Sequence, residues 1–307
     1  MVTQPDMRVD LGKLVLKNPV LAASGTFGYG QEMADFCDPA LLGGVVVKGL
    51  TLEPWPGNPP PRIVETSAGM LNSIGLENVG LDVFLKEKLP WLVERNVTVV
   101  ANILGKTVDE YAALAQGLGK ADGVAMIEIN VSCPNVAAGG LAFGTSPEFT
   151  AQVVRVVVQA AEQPVMVKLT PMVSDITAVA EAAVQAGADI ISLINTIPAM
   201  AVDLENRRPA LKNVVGGLSG PAIKPVALRL VWEVTRAVDA PVIGGGGIMT
   251  AEDALEFLMV GARAVQVGTA NFVDPRAALK ILEGIEAYCK EKSIQDLSTW
   301  VGSLKID

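Results

Sequence analysis

Eight short runs of apolar, mostly β-branched residues recur along the chain: 20–24 (VLAAS), 44–49 (GVVVKG), 97–103 (VTVVANI), 125–131 (AMIEINV), 164–170 (PVMVKLT), 189–196 (DIISLINT), 241–247 (PVIGGGG) and 262–269 (ARAVQVGT). They are nearly continuous rather than alternating, which is the pattern of strands covered on both faces. Amphipathic stretches follow them. In 174–188, Ile176, Val179, Ala180, Ala183 and Val184 form one apolar stripe, with Ser174 as the expected N-cap and Gly187 as the expected C-cap. Ser146, Pro147 and Glu148 supply an N-cap, a first helical position and a first-turn acid, and Thr250 with Asp253 has capping-box spacing. Eight strand–helix units predict a parallel (β/α)8 barrel spanning 1–307 as one domain; a doubly wound open sheet is the alternative, with no evident pivot for it. The Pro-rich segment 53–62 and the Gly-punctuated segment 67–80 read as an excursion and a loop after the second strand.

Composition narrows the chemistry. Half the residues are apolar and only 5% aromatic, so the core is aliphatic; a net charge of -9 disfavours nucleic acid and anionic membrane as partners. No apolar run reaches transmembrane length and the first residues lack a signal-peptide pattern, so a cytoplasmic protein is expected. Three cysteines, Cys37, Cys133 and Cys289, form neither a disulfide framework nor a metal knuckle. Histidine is absent, which removes Ser–His and Cys–His nucleophile systems and the usual metal sites, so none is expected. Proton transfer must then use Cys, Lys, Asp, Glu or Tyr.

In such barrels the chemistry sits at the carboxyl ends of the strands. There the sequence places Ser24, Lys48, Gly49, Asn102, Asn130, Cys133, Lys168, Asn195 and Thr196. Lys48 and Lys168 interrupt apolar runs, and a buried ammonium needs a partner; that is either a neighbouring carboxylate or a ligand. Asn72, Asn130 and Asn195 carry a donor and an acceptor each, which suits a ring bearing alternating C=O and N–H groups, or caps loops. The glycine turns after the last two strands, with Gly246, Gly247 and Gly268, can present backbone N–H groups to a phosphate or serve only as tight turns. Cys133 follows a strand end and precedes the flexible Gly139–Gly140 pair, a position for a reactive thiol; Cys37 and Cys289 read as buried apolar residues.

The stretches NVSCPNV…GG…FGT, KGLT, NSIGLEN, INT, GGLSGPAIKPVALR, GGGGI and VQVGTA together resemble the catalytic subunits of dihydroorotate dehydrogenases over residues 7 to 285, and NVAAGGLAFGT after the cysteine resembles class 1B. The resemblance implies an FMN-containing barrel oxidising (S)-dihydroorotate to orotate in pyrimidine biosynthesis. It places FMN against Ser24, Lys48, Gly49, Asn102, Asn130, Lys168, Ile194, Gly220, Gly246, Gly247, Gly268 and Thr269. It places substrate against Lys48, Asn72, Ser73, Ile74, Gly75, Leu76, Asn130, Asn195 and Thr196, with Cys133 as the base. It further implies a partner subunit carrying FAD and a [2Fe–2S] cluster that hands electrons to NAD, and a homodimer of barrels within a heterotetramer. A dihydropyrimidine dehydrogenase-like flavoenzyme, a non-catalytic FMN scaffold and a flavin-free sugar-phosphate barrel are the competing readings.

Overall fold

The computed structural model describes residues 4–131 and 143–306. All eight expected strands form, as Val20–Ala22, Gly44–Val46, Val99–Ile103, Val124–Asn130, Val165–Leu169, Ile190–Leu193, Val242–Gly245 and Ala264–Val267. Each pairs in parallel with its neighbours, and the last pairs with the first, Val265 opposite Val20, so the sheet closes into a barrel. Closure excludes the open-sheet alternative.

The side-chain period of two sorts the interior into layers. The lowest takes one residue from every strand: Leu21, Val46, Val100, Met126, Met166, Ile190, Ile243 and Ala264, all buried. Beneath it an antiparallel hairpin, Val9–Asp10 with Val15–Leu16, inserts Val9, Leu11 and Leu16 into the same cluster. The amino end of the barrel is therefore stoppered with hydrocarbon. Two residues further along each strand lie Lys48, Asn102, Glu128, Lys168, Ser192 and Gln266, with Ala23 and Gly245. The interior changes from apolar to polar within one layer.

Helices Val108–Gly119, Pro147–Ala160, Ile176–Gln185, Lys224–Ala237, Ala251–Met259 and Ala277–Glu291 pack around the barrel. Ser146 caps its helix by accepting from the Phe149 N–H, and Thr250 with Asp253 forms a complete capping box. The cap at 174–176 differs from expectation. Asp175, not Ser174, takes the N-terminal N–H groups, accepting from Thr177 and Ala178. A carboxylate one residue closer to the first turn offers a stronger acceptor than the hydroxyl. At the other end Ala186 is the C-cap and Gly187, at φ 106°, takes the left-handed position after it.

A second departure lies above the barrel. The segment read as loop contains strand Gly69–Asn72, and Ile63–Thr66 forms just before it; both join Val215–Ser219 and Ile197–Met200 in a four-stranded antiparallel sheet. Its strands come from the excursions after the second and sixth barrel strands. The pairing is long-range in sequence and leaves the Gly-rich pieces, such as GGLS, with little local strand signal.

Candidate active site

The polar layer is a hydrogen-bonded unit. Glu128 is 0% exposed, and its carboxylate accepts from Asn102 Nδ2 at 2.5 Å, Gln266 Nε2 at 2.6 Å and Ser192 Oγ at 2.9 Å. Gln266 in turn presents Oε1 to the Lys168 ammonium at 3.0 Å. Of the two lysines expected to need a partner, Lys168 has a neutral amide rather than a carboxylate. Lys48 Nζ makes no hydrogen bond or ion pair to a described residue; it lies beside Gly25, whose added Cβ would come within 3.5 Å of it. Burial pushes the Lys48 pKa down, with Glu77 partly opposing the shift.

The Asn102 side chain is buried, yet its Oδ1 has no hydrogen-bond partner among the described residues. An unpaired buried acceptor costs about 1–3 kcal/mol, a cost that a ligand's donor would remove. It faces Gly49, where an added Cβ would approach it to 2.8 Å. Ser24 is tied down, its Oγ donating to the Val47 carbonyl at 2.8 Å.

One layer higher are Gly25, Asn130, Ile194, Gly247 and Gly268. Asn195 Nδ2 donates to Asn130 Oδ1 at 3.4 Å, and Tyr111 donates to the Asn130 carbonyl at 2.7 Å. The Asn195 Oδ1 accepts from the Thr196 N–H at 2.8 Å. Gly246 and Gly247 have φ of 125° and 81°; an added Cβ on Gly247 would strike the Gly220 carbonyl at 2.7 Å and the Lys224 nitrogen at 2.8 Å. Gly220 meets Thr269 from the other side, and Thr269 Oγ1 bonds Ser219 Oγ at 2.8 Å. The loops carrying Gly220, Gly246, Gly247, Gly268 and Thr269 thus converge. Glycine turns at the carboxyl ends of the last two strands are an arrangement suited to a phosphate. Lys224, beside this cradle, is committed elsewhere, to Asp253 at 2.6 Å and Glu256 at 2.9 Å.

The antiparallel sheet delivers the remaining residues. Gly217 pairs with both Asn72 and Pro198, and an added Cβ on Gly217 would fall on the Thr196 hydroxyl. Asn72 and Thr196, 124 positions apart, therefore flank one glycine. The 73–76 turn is stitched to the Pro-rich excursion: Asn58 Nδ2 donates to the Ser73 carbonyl and the Asn58 N–H to the Ile74 carbonyl. Leu76 adopts φ 62°. The turn edges a cavity of about 610 Å³ that also exposes Tyr29, Glu32, Lys48, Trp55 and Glu77. Burial pushes the Tyr29 phenol up to about 12, so it holds its proton at neutral pH. A larger cleft of about 690 Å³ opens at the amino end, by Arg8, Trp232 and Val242, away from every residue of the polar layer.

Cys133 lies outside the described residues. Cys37 and Cys289 are buried, and burial pushes both thiols up, as their packing reading requires. Glu128, Ser192 and Gln266 are additions to the expected site residues. The signal is present in the sequence: each is a polar residue inside an apolar strand run, as the two lysines are. No group of three or more metal-ligating side chains occurs among the described residues. No helix there is long and apolar enough to cross a membrane.

The sequence profile of the dihydroorotate dehydrogenase family matches residues 7–289. Relatives named dihydroorotate dehydrogenase B (NAD(+)), catalytic subunit, are similar over almost their whole length. That of Geotalea uraniireducens is 55% identical over 301 residues, 98% of this chain and 99% of its own. Those of Geotalea daltonii and Alkaliphilus metalliredigens are each 53% identical, covering 99% of this chain and 100% of theirs.

Proposed function

The chain belongs to the dihydroorotate dehydrogenase family, and from that premise we propose that it oxidises (S)-dihydroorotate to orotate on bound FMN, as a catalytic subunit whose electrons reach NAD through a partner. The observation that carries the reading is the free, buried Asn102 Oδ1 at the floor of a site with Lys48 and Lys168 on its walls. That floor, together with the glycine turns, fits FMN, which offers a ring N–H and a phosphate. Ser24, Lys48, Gly49, Asn102, Asn130, Lys168 and Ile194 would hold the ring side, and Gly220, Gly246, Gly247, Gly268 and Thr269 the phosphate side. Bound there, FMN supplies the acceptor for a hydride.

The residues of the chain do the rest. Asn72, Asn130, Asn195 and Thr196, with the 73–76 turn, fix the substrate ring by complementary donors and acceptors and hold it in one orientation. Lys48, short of a partner among the described residues, finds one in the substrate's negative charge. Lys168, with its ammonium on Gln266 Oε1, would hold positive charge beside the ring and so favour its reduced, more negative form. Cys133 takes the C5 proton as the C6 hydrogen leaves with its electron pair. Carbon then gains one C=C bond and substrate loses two hydrogens, one as proton and one as hydride. The partner would carry FAD and [2Fe–2S], and two barrels would join two partners in a cytoplasmic heterotetramer; the name 'catalytic subunit' borne by the relatives supports a partner.

Anaerobic mixing with dihydroorotate tests the reading. Dihydroorotate is expected to bleach the visible flavin band within one turnover, and dihydrouracil to leave it intact. Bleaching by dihydrouracil and not dihydroorotate would move the chain to the dihydropyrimidine dehydrogenase-like reading.

A further inference from the structure

Glu128 takes no part in the chemistry above, yet it is the only carboxylate of the polar layer and wholly buried. A carboxylate offers lone pairs and no hydrogen when it accepts from three donors. Both amides that touch it must therefore turn their NH2 ends inward. Gln266 is left with Oε1 on the Lys168 ammonium, and Asn102 with Oδ1 unpaired beside Gly49. The two donors on Oε1, Ser192 and Gln266, contrast with the single donor, Asn102, on Oε2. We propose that Glu128 is a positioning residue: it fixes the Asn102 amide so that the floor of the site presents an acceptor, not a donor, to the ring of the cofactor. The inference rests on the FMN reading and deepens it.

The asymmetry of the carboxylate makes the consequence specific. In Glu128→Gln the new NH2 group displaces the fewest bonds by taking the Oε2 side, where it meets the Asn102 NH2 head-on. Asn102 must turn over, give Oδ1 to the introduced amide, and point its own NH2 at the ligand's N–H. Moving the carboxylate one strand across, in Glu128→Gln/Asn102→Asp, restores the arrangement. The amide introduced at position 128 then donates to one oxygen of the new carboxylate while the other faces the ligand as an acceptor.

The experiment titrates deflavinated wild type, Glu128→Gln and the double variant with FMN, reading quenching of flavin fluorescence, and follows folding by circular dichroism. Glu128→Gln is expected to weaken FMN binding by about tenfold or more, equivalent to about 1.4 kcal/mol. The double variant is expected to return to within about threefold of wild type, because the two changes are coupled through one contact. Loss of packing alone would weaken both variants and give no recovery. Folded Glu128→Gln that binds FMN as wild type does, or a folded double variant no better than the single, overturns the proposal. Where Glu128→Gln does not fold, the double variant decides alone: near-wild-type binding supports the proposal and failure to bind FMN when folded overturns it. Wild type that takes up no FMN removes the cofactor reading itself, and that result is known before any substitution is compared.

Discussion

At Lys48 a cation stands in the barrel wall with its pKa pulled down by burial and without a hydrogen-bonded counter-ion among the described residues. A lysine whose folded pKa is lowered binds its proton less readily in the native state than in the unfolded chain. Its penalty is full below the folded pKa and fades as pH rises toward the ordinary lysine value of about 10.4. Lys48→Met is thus expected to stabilise the ligand-free protein at neutral pH by about 1 kcal/mol, while abolishing dihydroorotate oxidation. The gain should shrink as pH is raised. Thermal melting of both proteins across pH 7 to 10 (about three units below and up to the ordinary value) checks the sign, and a less stable Lys48→Met at pH 7 contradicts it. Cys133 calls for a different measurement. Cys133→Ala is expected to keep bound FMN and slow single-turnover flavin reduction by about a hundredfold or more; Cys133→Ser should keep a residue of activity with its pH profile displaced upward. Unchanged reduction by Cys133→Ala removes it as the base. Lys48 and Lys168 were legible because an ammonium in an apolar run is conspicuous. Glu128, Ser192 and Gln266 carry the same mark, but their role depends on three strands meeting, and no local pattern states which strands face one another.

The barrel elements were legible throughout, because eight covered strands each write a continuous apolar run and their helices carry caps. The four-stranded sheet was not. Its two halves meet where Gly217 pairs with Asn72, 145 positions away. Glycines such as Gly216 and Gly217 are there because Asn72 and Thr196 press against them, not for strand propensity. The glycines of the last two βα loops separate by the same reasoning. An added Cβ on Gly247 collides with backbone, whereas one on Gly268 meets only Ala23 and Thr26 methyl carbons at 3.6 and 3.7 Å. Gly247→Ala is expected to lose both stability and FMN. Gly268→Ala should melt within about 0.5 kcal/mol of wild type yet hold FMN at least about tenfold more weakly. Equal FMN affinity in Gly268→Ala would show that no ligand approaches that backbone.

For the whole molecule, no dinucleotide fingerprint of the strand–Gly-rich turn–helix kind with its ribose-binding acid is present. The isolated chain is expected to reduce an artificial dye with dihydroorotate and to reduce NAD poorly or not at all until its partner is added. Efficient NAD reduction by the chain alone would remove the need for a partner, and efficient fumarate reduction would place it in class 1A. The hydrocarbon stopper made by Val9, Leu11 and Leu16 has a further outcome. A passage shut at one end imposes an order of entry: whatever sits deepest arrives first and leaves last. Asn102 and Lys168, assigned to FMN alone, line the floor, and Asn72 and Thr196, assigned to the substrate alone, meet at Gly217 above it. Orotate at the lip should therefore imprison the flavin below it, slowing its escape into dilute buffer by about tenfold for each 1.4 kcal/mol of added barrier. Flavin release timed with and without orotate would reveal the trap, and equal release rates would mean that a second exit exists.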